Sequence, residues 1–370
     1  MERTDDRPDQ ASPPLPSLEP IRLVDQRGRR VDDPVHHSPD HAVLLRLLRG
    51  MVVGRRFDRQ AGALARQGRL AVYPSSFGQE ACQVGGVLAM RADDWLFPTY
   101  RDSVALVTRG VDPVGVLTLL RGDWHSGYDP NRYRCAPQCT PLATNAPHAV
   151  GLAHAARRAG SDLAALVMMG DGATSEGDAH EAYNFAAVWN APVVFLVQNN
   201  QWAISVPVRK QSRAPTLAHK AIGYGMRGHH VDGNDAAAVY AVVSRALADA
   251  RAGRGPAIVE ARTYRMDPHT NSDAPQRYRD DAEVERWRAR DPVDRLTALL
   301  RAEGRLDDAA LAGFTQEGEE LAADLRERMA DEDAPDPDEL FAHVLAAPTA
   351  QLTEQRAALR DEVRKEAGHG

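Results

Sequence analysis

Cysteine is scarce in this chain: Cys82, Cys135 and Cys139 are the only three among 370 residues. That excludes a disulfide framework, and the thiols are expected to be reduced and structural. Cys135 and Cys139 are spaced to supply half of a metal site, but no second Cys/His pair stands out to complete one. A basic excess is also missing. Lys and Arg number 45 against 52 Asp and Glu, a formal charge of −7, which argues against a nucleic-acid partner. No stretch approaches the apolar length that spans a membrane. The opening "MERTDDRPDQASPPLPSLEP" has no apolar core for a signal peptide, so residues 1–20 are read as a disordered tail and the protein as cytoplasmic.

What remains is ordinary globular composition, 43% hydrophobic and 26% charged. Residues from about 40 to 68 space their apolar positions at helical intervals. "SSFGQEACQVGGVLAM" reads as a helix entered through a serine cap, with Gln79 and Glu80 in its first turn. "DDWLFPTYRDSVALVTRG" reads as a strand and turn leading into a helix, and 122–140 as an irregular loop. After the helical "HAVGLAHAARRAG" the rhythm becomes regular. Strand 163–169, a glycine turn and the helix "DAHEAYNFAAVWN" precede a second strand, "VVFLVQ". Further strands are expected at 229–232 and in "PAIVEARTY". From about 281 onward the chain is charged and helical, with a break at "DEDAPDPDE". Apolar strands alternating with helices imply an α/β fold, a mainly parallel central sheet with helices on both faces. Ligands bind such sheets beyond the carboxyl ends of the strands, where the polar clusters of this chain fall.

One of those clusters is "MMGDGATSEGD", residues 168–178. Glycines after a strand let the backbone approach a phosphate, yet Asp171 stands between Gly170 and Gly172, where it would repel one. A divalent cation between carboxylate and phosphate removes the conflict, because Mg²⁺ takes oxygen ligands and bridges protein to phosphate. Asn200, at the end of the next strand, offers a neutral second oxygen. A strand-turn-helix-strand unit has the length that separates Asp171 from Asn200, so the two can meet at adjacent strand ends. Other phosphate and metal motifs fit worse. Ser175 occupies the third glycine position of a dinucleotide fingerprint, no Gly-Lys-Ser/Thr loop occurs, and the alternating acids of an EF-hand are missing.

The stretch "GDGATSEGDAHEAYNFAAVWNAPVVFLVQNNQWAISVPV" resembles the alpha subunit of the thiamine-diphosphate-dependent, decarboxylating component of 2-oxo acid dehydrogenase complexes. The likeness runs from about Ile21 to the C-terminus, giving a dehydrogenase alpha domain over 21–330 and a helical C-terminal tail over 331–370. It implies the thiamine-diphosphate-binding fold, with Mg²⁺ on the side chains of Asp171 and Asn200 and on the Trp202 carbonyl. Gly170, Gly172 and Ala173 would line the diphosphate, and in "FPTYRD" Tyr100 and Arg101 would contact it. An arginine suits that task through its planar donor fork. Leu142 matches the apolar wedge that bends the cofactor, with Thr140 beside it, and Ile204 would pack on it. The loop from Cys139 to Asn145 resembles a potassium site, with Thr144 and Asn145 as ligands.

In "TYRMDPHTNSDAPQRYR", His269 matches the histidine that faces the reacting carbon. Thr270 and Ser272 fall in the segment phosphorylated in animal relatives. His125 is a further substrate-side candidate. The chain shows no persuasive glutamate for the aminopyrimidine, which in two-chain relatives comes from the beta subunit. The resemblance therefore implies half of an active site, completed in a tetramer of two alpha and two beta subunits. The implied activity is oxidative decarboxylation of pyruvate or a branched-chain 2-oxo acid, with acyl transfer to the lipoyl group of an acyltransferase partner. An acetoin dehydrogenase alpha subunit and a non-catalytic partner of the same fold are the alternatives.

Overall fold

The computed structural model describes residues 14–123, 125–330 and 336–368. Asp40 caps the first helix, α1 (His41–Arg66), by accepting from Val43 N at 2.8 Å. Leu44, Leu47, Leu48 and Met51 give α1 an apolar stripe at i, i+3, i+4 and i+7 spacing, and all four are buried. Helix α2 (Glu80–Leu88) leads to the short strand β1 (Trp95–Phe97), followed by α3 (Ser103–Arg109), α4 (Pro113–Arg121), α5 (Pro130–Tyr133) and α6 (Asn145–Arg158). Strand β2 (Ala165–Gly170) runs through a single 3-10 turn into α7 (Gly177–Trp189) and then β3 (Val193–Asn199). A small antiparallel ribbon, β4 (Trp202–Ala203) and β5 (Val206–Pro207), precedes α8 (Val208–Gln211). Strand β6 (Arg227–Asp232), α9 (Ala236–Arg251) and β7 (Ala257–Arg262) complete the sheet. Helices α10 (Asp281–Arg288), α11 (Pro292–Ala302), α12 (Asp308–Arg328), α13 (Glu339–Ala342) and α14 (Ala350–Ala367) follow.

The five-stranded sheet has the order β1-β2-β3-β7-β6, and every pairing in it is parallel. Alternate strand residues enter two separate cores. Leu166, Met168, Val194, Leu196 and Val259 face α1, α2 and α9. Ala165, Val167, Met169, Phe195 and Val197 face α6 and α7. Helices thus cover both faces, as the continuous apolar strands required. Among the described residues no helix is long and apolar enough to cross a membrane.

Several local expectations are corrected. Serine does not cap α2: Gln79 holds the N-cap position without a side-chain bond, and Glu80 Oε2 accepts from Gly78 N at 2.9 Å. Gly78, at φ +94°, turns the chain so that Ser76 Oγ donates instead to the Arg101 carbonyl, 2.8 Å away. The loop at 122–140 contains α5, and Cys135 and Cys139 bridge in parallel to Leu96 and Thr99 beside β1. All three cysteines are free. The expected tail of residues 1–20 is only partly described. Its last part lies on the sheet edge, where Pro16 is buried against Gly228, and Ile21 N donates to the His230 carbonyl at 2.8 Å. The start of the expected acidic break, 331–335, lies outside the described residues, whereas α14 is exposed along most of its length.

Gly78 gives the fold its clearest single-residue test. A Cβ there would run into the Tyr264 carbonyl oxygen, in a left-handed conformation that already costs a side chain about 1–2 kcal/mol. Gly110 has a similar φ of +96° with nothing within 4 Å of the added atom. Gly78→Ala is expected to lose more than about 2 kcal/mol in urea unfolding, and Gly110→Ala about 1 kcal/mol. Equal losses would show that the Gly78–Tyr264 approach is not close in solution.

Candidate functional site

Strands β1, β2 and β3 end side by side, with Gly170 of β2 in register with Gln198 of β3. Their C-terminal ends open into one cavity of about 420 Å³. Its wall includes Tyr100 and Arg101 after β1, Thr140 and Leu142 before α6, and Gly170, Asp171, Gly172 and Ala173 after β2. Asn200, Trp202 and Ile204 join them after β3, and His269 after β7. Every residue that the sequence assigned to thiamine diphosphate, Mg²⁺ or catalysis is brought to this one place, whereas Thr144 and Asn145, assigned to potassium, are not in its wall. His125 is not: it is exposed, and its Nδ1 accepts from Gly127 N at 3.1 Å within its own loop.

The glycines define the floor. A Cβ on Gly170 would meet nothing within 4 Å and would stand in cavity space, so glycine leaves that space to a ligand. A Cβ on Gly172 would come within 2.7 Å of Ala203 Cβ, so glycine there lets β4 close on the turn. Lys220 Nζ holds the turn by donating to the Thr174 carbonyl at 2.7 Å and to its hydroxyl at 2.8 Å.

Between the glycines, Asp171 is 1% exposed and forms no ion pair among the described residues. Burial raises its carboxyl to about 6, with Gln211 Nε2, donating at 2.7 Å, opposing the rise. A buried acid without a cation is costly. Asn200 lies next to it, its Nδ2 on Gln79 Oε1 at 3.1 Å and its Oδ1 accepting from Trp202 N at 3.2 Å. No cluster of three or more His, Cys, Asp or Glu that could hold a metal occurs among the described residues. The donors here are one carboxylate, an amide oxygen and a backbone carbonyl, a set that suits a hard cation keeping other oxygens as ligands.

The cavity wall also carries a positive side chain, Arg101, and a second, Arg265, is buried against the wall residues Trp202 and Ile204. Arg101 is 6% exposed and Arg265 is fully buried, and neither pairs with a carboxylate among the described residues. Arg101 Nη1 donates to the Ser75 carbonyl at 2.9 Å, while its Nη2 donates to the His269 carbonyl and to His269 Nδ1, each at 2.9 Å. Arg265 donates to the carbonyls of Trp202 (3.3 Å) and Ile204 (2.8 Å). Burial, and then Arg101, pulls its guanidinium down to about 10. Asp171 and Arg101 both line the cavity without an ion-pair partner among the described residues, a charge pair that suits a metal-bridged diphosphate, with the cation toward Asp171 and the anion toward Arg101.

Because His269 Nδ1 accepts from Arg101, its proton belongs on Nε2. Burial, then Arg101 and Arg265, lowers the imidazole to about 4, so it is neutral at pH 7. Asp273 accepts from His269 N at 2.7 Å and from the Tyr278 hydroxyl, and so shapes the loop. Leu142 (41% exposed) and Ile204 (55%) present apolar surface to the cavity beside left-handed backbone. Ala143 has φ +63°, Gln201 +76° and Ile204 itself +52°, a conformation that a β-branched residue adopts only under constraint.

Sequence reading missed Gln79, Gln198, Gln211 and Arg265. Gln79 Nε2, Gln198 Oε1 and Gln211 Oε1 are buried without a partner, which leaves hydrogen-bonding capacity unused around the cavity. Their available signal was position: Gln198 ends β3, and Arg265 follows β7. Asn145, matched to a potassium ligand, uses its Nδ2 on the carbonyls of Phe97, Pro98 and Met168, between 2.9 and 3.3 Å away. That arrangement favours a structural role, joining α6 to β1 and β2.

A parallel sheet with a diphosphate-shaped charge pattern at its strand ends defines an α/β cofactor-binding protein. The family is shown by comparison: residues 48–338 match the model of the dehydrogenase E1 component, and the chain belongs to that family. It is 46% identical over 347 residues to a protein of Mycobacterium tuberculosis named 3-methyl-2-oxobutanoate dehydrogenase subunit alpha, covering 94% of this chain and 95% of that one. It is 35% identical to the pyruvate dehydrogenase E1 component subunit alpha of Acholeplasma laidlawii, over 90% of this chain and 96% of that one. The protein of that name in Staphylococcus aureus is 36% identical over 78% of each chain.

The His269 environment sets a titration. Its folded value near 4 lies below the unfolded value of about 6.5. Its contribution to stability is therefore present above pH 6.5 and is lost as pH falls toward 4. NMR of ¹⁵N-histidine-labelled chain, assigned with His269→Gln, is expected to show the Nε2–H tautomer at pH 7 and a midpoint near 4. A midpoint near 6.5 would mean that neither the burial of the ring nor its Arg101 contact is kept in solution.

Proposed function

We propose that this chain is the alpha subunit of a thiamine-diphosphate- and Mg²⁺-dependent 2-oxo acid dehydrogenase. Its substrate is a branched-chain 2-oxo acid of the 3-methyl-2-oxobutanoate kind, and the acyl group passes to the lipoyl group of an acyltransferase component. The observation that carries this reading is the separated charge in the cavity wall: Asp171 and Arg101 are both buried there, and neither has an ion-pair partner among the described residues. The higher identity to the mycobacterial branched-chain protein favours that substrate over pyruvate. So do Val72, Pro74 and Leu120, which make part of the cavity wall apolar.

When bound, thiamine diphosphate supplies the nucleophilic carbon and the electron sink for decarboxylation. The protein groups divide the remaining work. Asp171, Asn200 and the Trp202 carbonyl would hold Mg²⁺, while Arg101 and Tyr100 would face diphosphate oxygens. Gly170 would leave the diphosphate room, Thr140 would lie beside the cofactor, and Leu142 and Ile204 would pack against its rings. His269, kept neutral by burial and then by two guanidiniums, would present its Nε2–H as a hydrogen-bond donor to negative charge developing on the substrate. Val72, Pro74 and Leu120 would receive the aliphatic side chain.

Asp171 is the only acid in the cavity wall among the described residues. With Asp171 assigned to the metal, no carboxylate is left for the aminopyrimidine. A beta subunit would supply it and complete the site.

Two tests follow. The purified chain alone is expected to decarboxylate nothing. Mixed with its beta subunit and assayed with an artificial electron acceptor, it should prefer branched-chain 2-oxo acids to pyruvate. Robust turnover without a second polypeptide would show the half-site reading to be wrong. In calorimetry on the same assembly, Asp171→Asn should lose Mg²⁺-dependent thiamine diphosphate binding. His269→Ala should keep binding and lose about 10²–10⁴-fold in lipoyl-dependent rate, the usual share of a positioned proton donor. Full activity in the His269 variant would reduce it to a bystander.

A further inference from the structure

Away from the metal position, two carboxyl groups meet through one hydroxyl. Ser75 Oγ is 2.7 Å from Asp58 Oδ2 and also 2.7 Å from Asp267 Oδ2. A serine hydroxyl has one proton to donate. Both contacts are hydrogen bonds only if one carboxyl is protonated and donates to Ser75 Oγ.

Asp58 is the group suited to carry that proton. It is 3% exposed on α1, whereas Asp267 is half-buried on a loop. Asp58 Oδ1 already accepts from the Tyr73 hydroxyl at 2.6 Å and from Ser76 N at 2.7 Å. Burial raises its carboxyl to about 6, and the charge of Asp267 adds to the rise. The donors then run in one direction, from Asp58 Oδ2–H to Ser75 Oγ–H to Asp267 Oδ2. The titratable groups facing Asp58 from the neighbouring loops are Tyr73 and Asp267, with Arg101 beyond them on the Ser75 carbonyl. Charged side chains of the other packed helices turn elsewhere. Glu80 of α2 and Asp291 before α11 pair with Arg55, Glu319 of α12 pairs with Arg56, and Arg326 of α12 turns to Gln60.

Asp267 lies two residues before His269, on the connection between β7 and α10. Few backbone hydrogen bonds tie this connection to the 71–77 segment; Met266 N to the Phe77 carbonyl, at 3.1 Å, is one. Side chains supply most of the hold: Ser75 to Asp267, Asn271 Oδ1 to Tyr73 N (3.3 Å), and Arg101 to the His269 carbonyl. A segment held in this way opens more easily than the sheet beneath it.

We propose that Asp58, Ser75 and Asp267 form a one-proton latch that positions the His269 loop, so that closing the loop takes up a proton from solvent and opening it returns that proton. Asp58, Ser75 and Asp267 are positioning residues, acting through His269; the proposal rests on the reading of His269 given above. The sign follows from the geometry. In the closed loop Asp267 faces Asp58 and favours its protonated form; in the open loop that charge has moved away. The closed state therefore binds more protons, and closure strengthens as pH falls.

The test is hydrogen exchange on the full-length chain assembled with its beta subunit, expressed as protection factors so that the intrinsic pH dependence divides out. Protection over 266–273 is expected to rise about five- to tenfold between pH 7.5 and pH 5, the span of one linked proton. In Asp58→Asn the amide replaces the acid proton, so protection should be high and equal at both pH values. Ser75→Ala should be weakly protected at both. Should Asp58→Asn fail to fold, Asp267→Asn, at a half-buried loop position, should also abolish the pH difference. Equal wild-type protection at both pH values would overturn the latch, as would a wild-type pH dependence surviving in either Asn variant. Protection is read without turnover, so failure of the dehydrogenase reading would not imitate failure of the latch.

Discussion

Asp171 is a carboxylate withdrawn from water with no ion-pair partner among the described residues, and the cavity is organised around that electrostatic debt. An isolated charge in such a place is held only where surrounding structure over-determines it. Here the constraint is the parallel sheet. The register that sets Gly170 against Gln198 fixes where β2 and β3 end, and Asp171 and Asn200 emerge from those ends with almost no freedom. Packing on both faces makes this position rigid, since residues on each side of the sheet interlock with helices that cannot shift independently. The guanidiniums of Arg101 and Arg265 are fixed differently, by backbone carbonyls. Arg101 and Arg265 spend several donors on Ser75, His269, Trp202 and Ile204, which holds the positive charge in place without neutralising it.

That difference in anchoring separates a stiff half of the site from an adaptable one. The acid side sits on strand ends and a 3-10 turn clamped by Lys220. The histidine side sits on a connection tied down largely by side chains, two of them acidic and sharing a serine. Between the halves, Gln201 and Ile204 hold left-handed backbone, and their carbonyl and side-chain directions are what place Trp202 and expose Ile204. Strain of about 1–3 kcal/mol at each such residue persists when neighbouring structure leaves the chain no alternative. The Arg265 contact on the Ile204 carbonyl is one visible source of that compulsion.

Much of this was legible from sequence because the informative spacings are set by backbone geometry. A strand, a turn, a helix and a second strand need a nearly fixed number of residues, so the pairing of Asp171 with Asn200 could be read from the chain. Asn145 illustrates the limit. Its type and place resemble a cation ligand, yet the nitrogen of its amide meets three carbonyls, and no spacing rule distinguishes one end of an amide from the other. Arg265, Gln79 and Gln211 were missed for a related reason. Their partners lie on other segments, and local pattern carries no information about which segments meet. The serine cap on α2 failed because Gly78, in a left-handed turn, sends the chain away from the helix axis before a serine can reach the first free N–H groups.

The neutral state of His269 shows how the two halves depend on one another. A histidine near a buried guanidinium is disfavoured as a cation, and here Arg101 touches its Nδ1 directly while Arg265 lies 3.5 Å from the same atom. Arg101, the arginine in the cavity wall, therefore also assigns the proton of the imidazole to Nε2. If an anionic ligand partly neutralised Arg101, the cost of protonating His269 would fall, and its titration would move upward. Ligand charge and histidine protonation are thus linked through a single side chain, and by reciprocity a change in one must be felt by the other. Arg101 is consequently more than a phosphate contact: its position between Ser75, His269 and the cavity makes it the point where the rigid and adaptable halves of the site are joined.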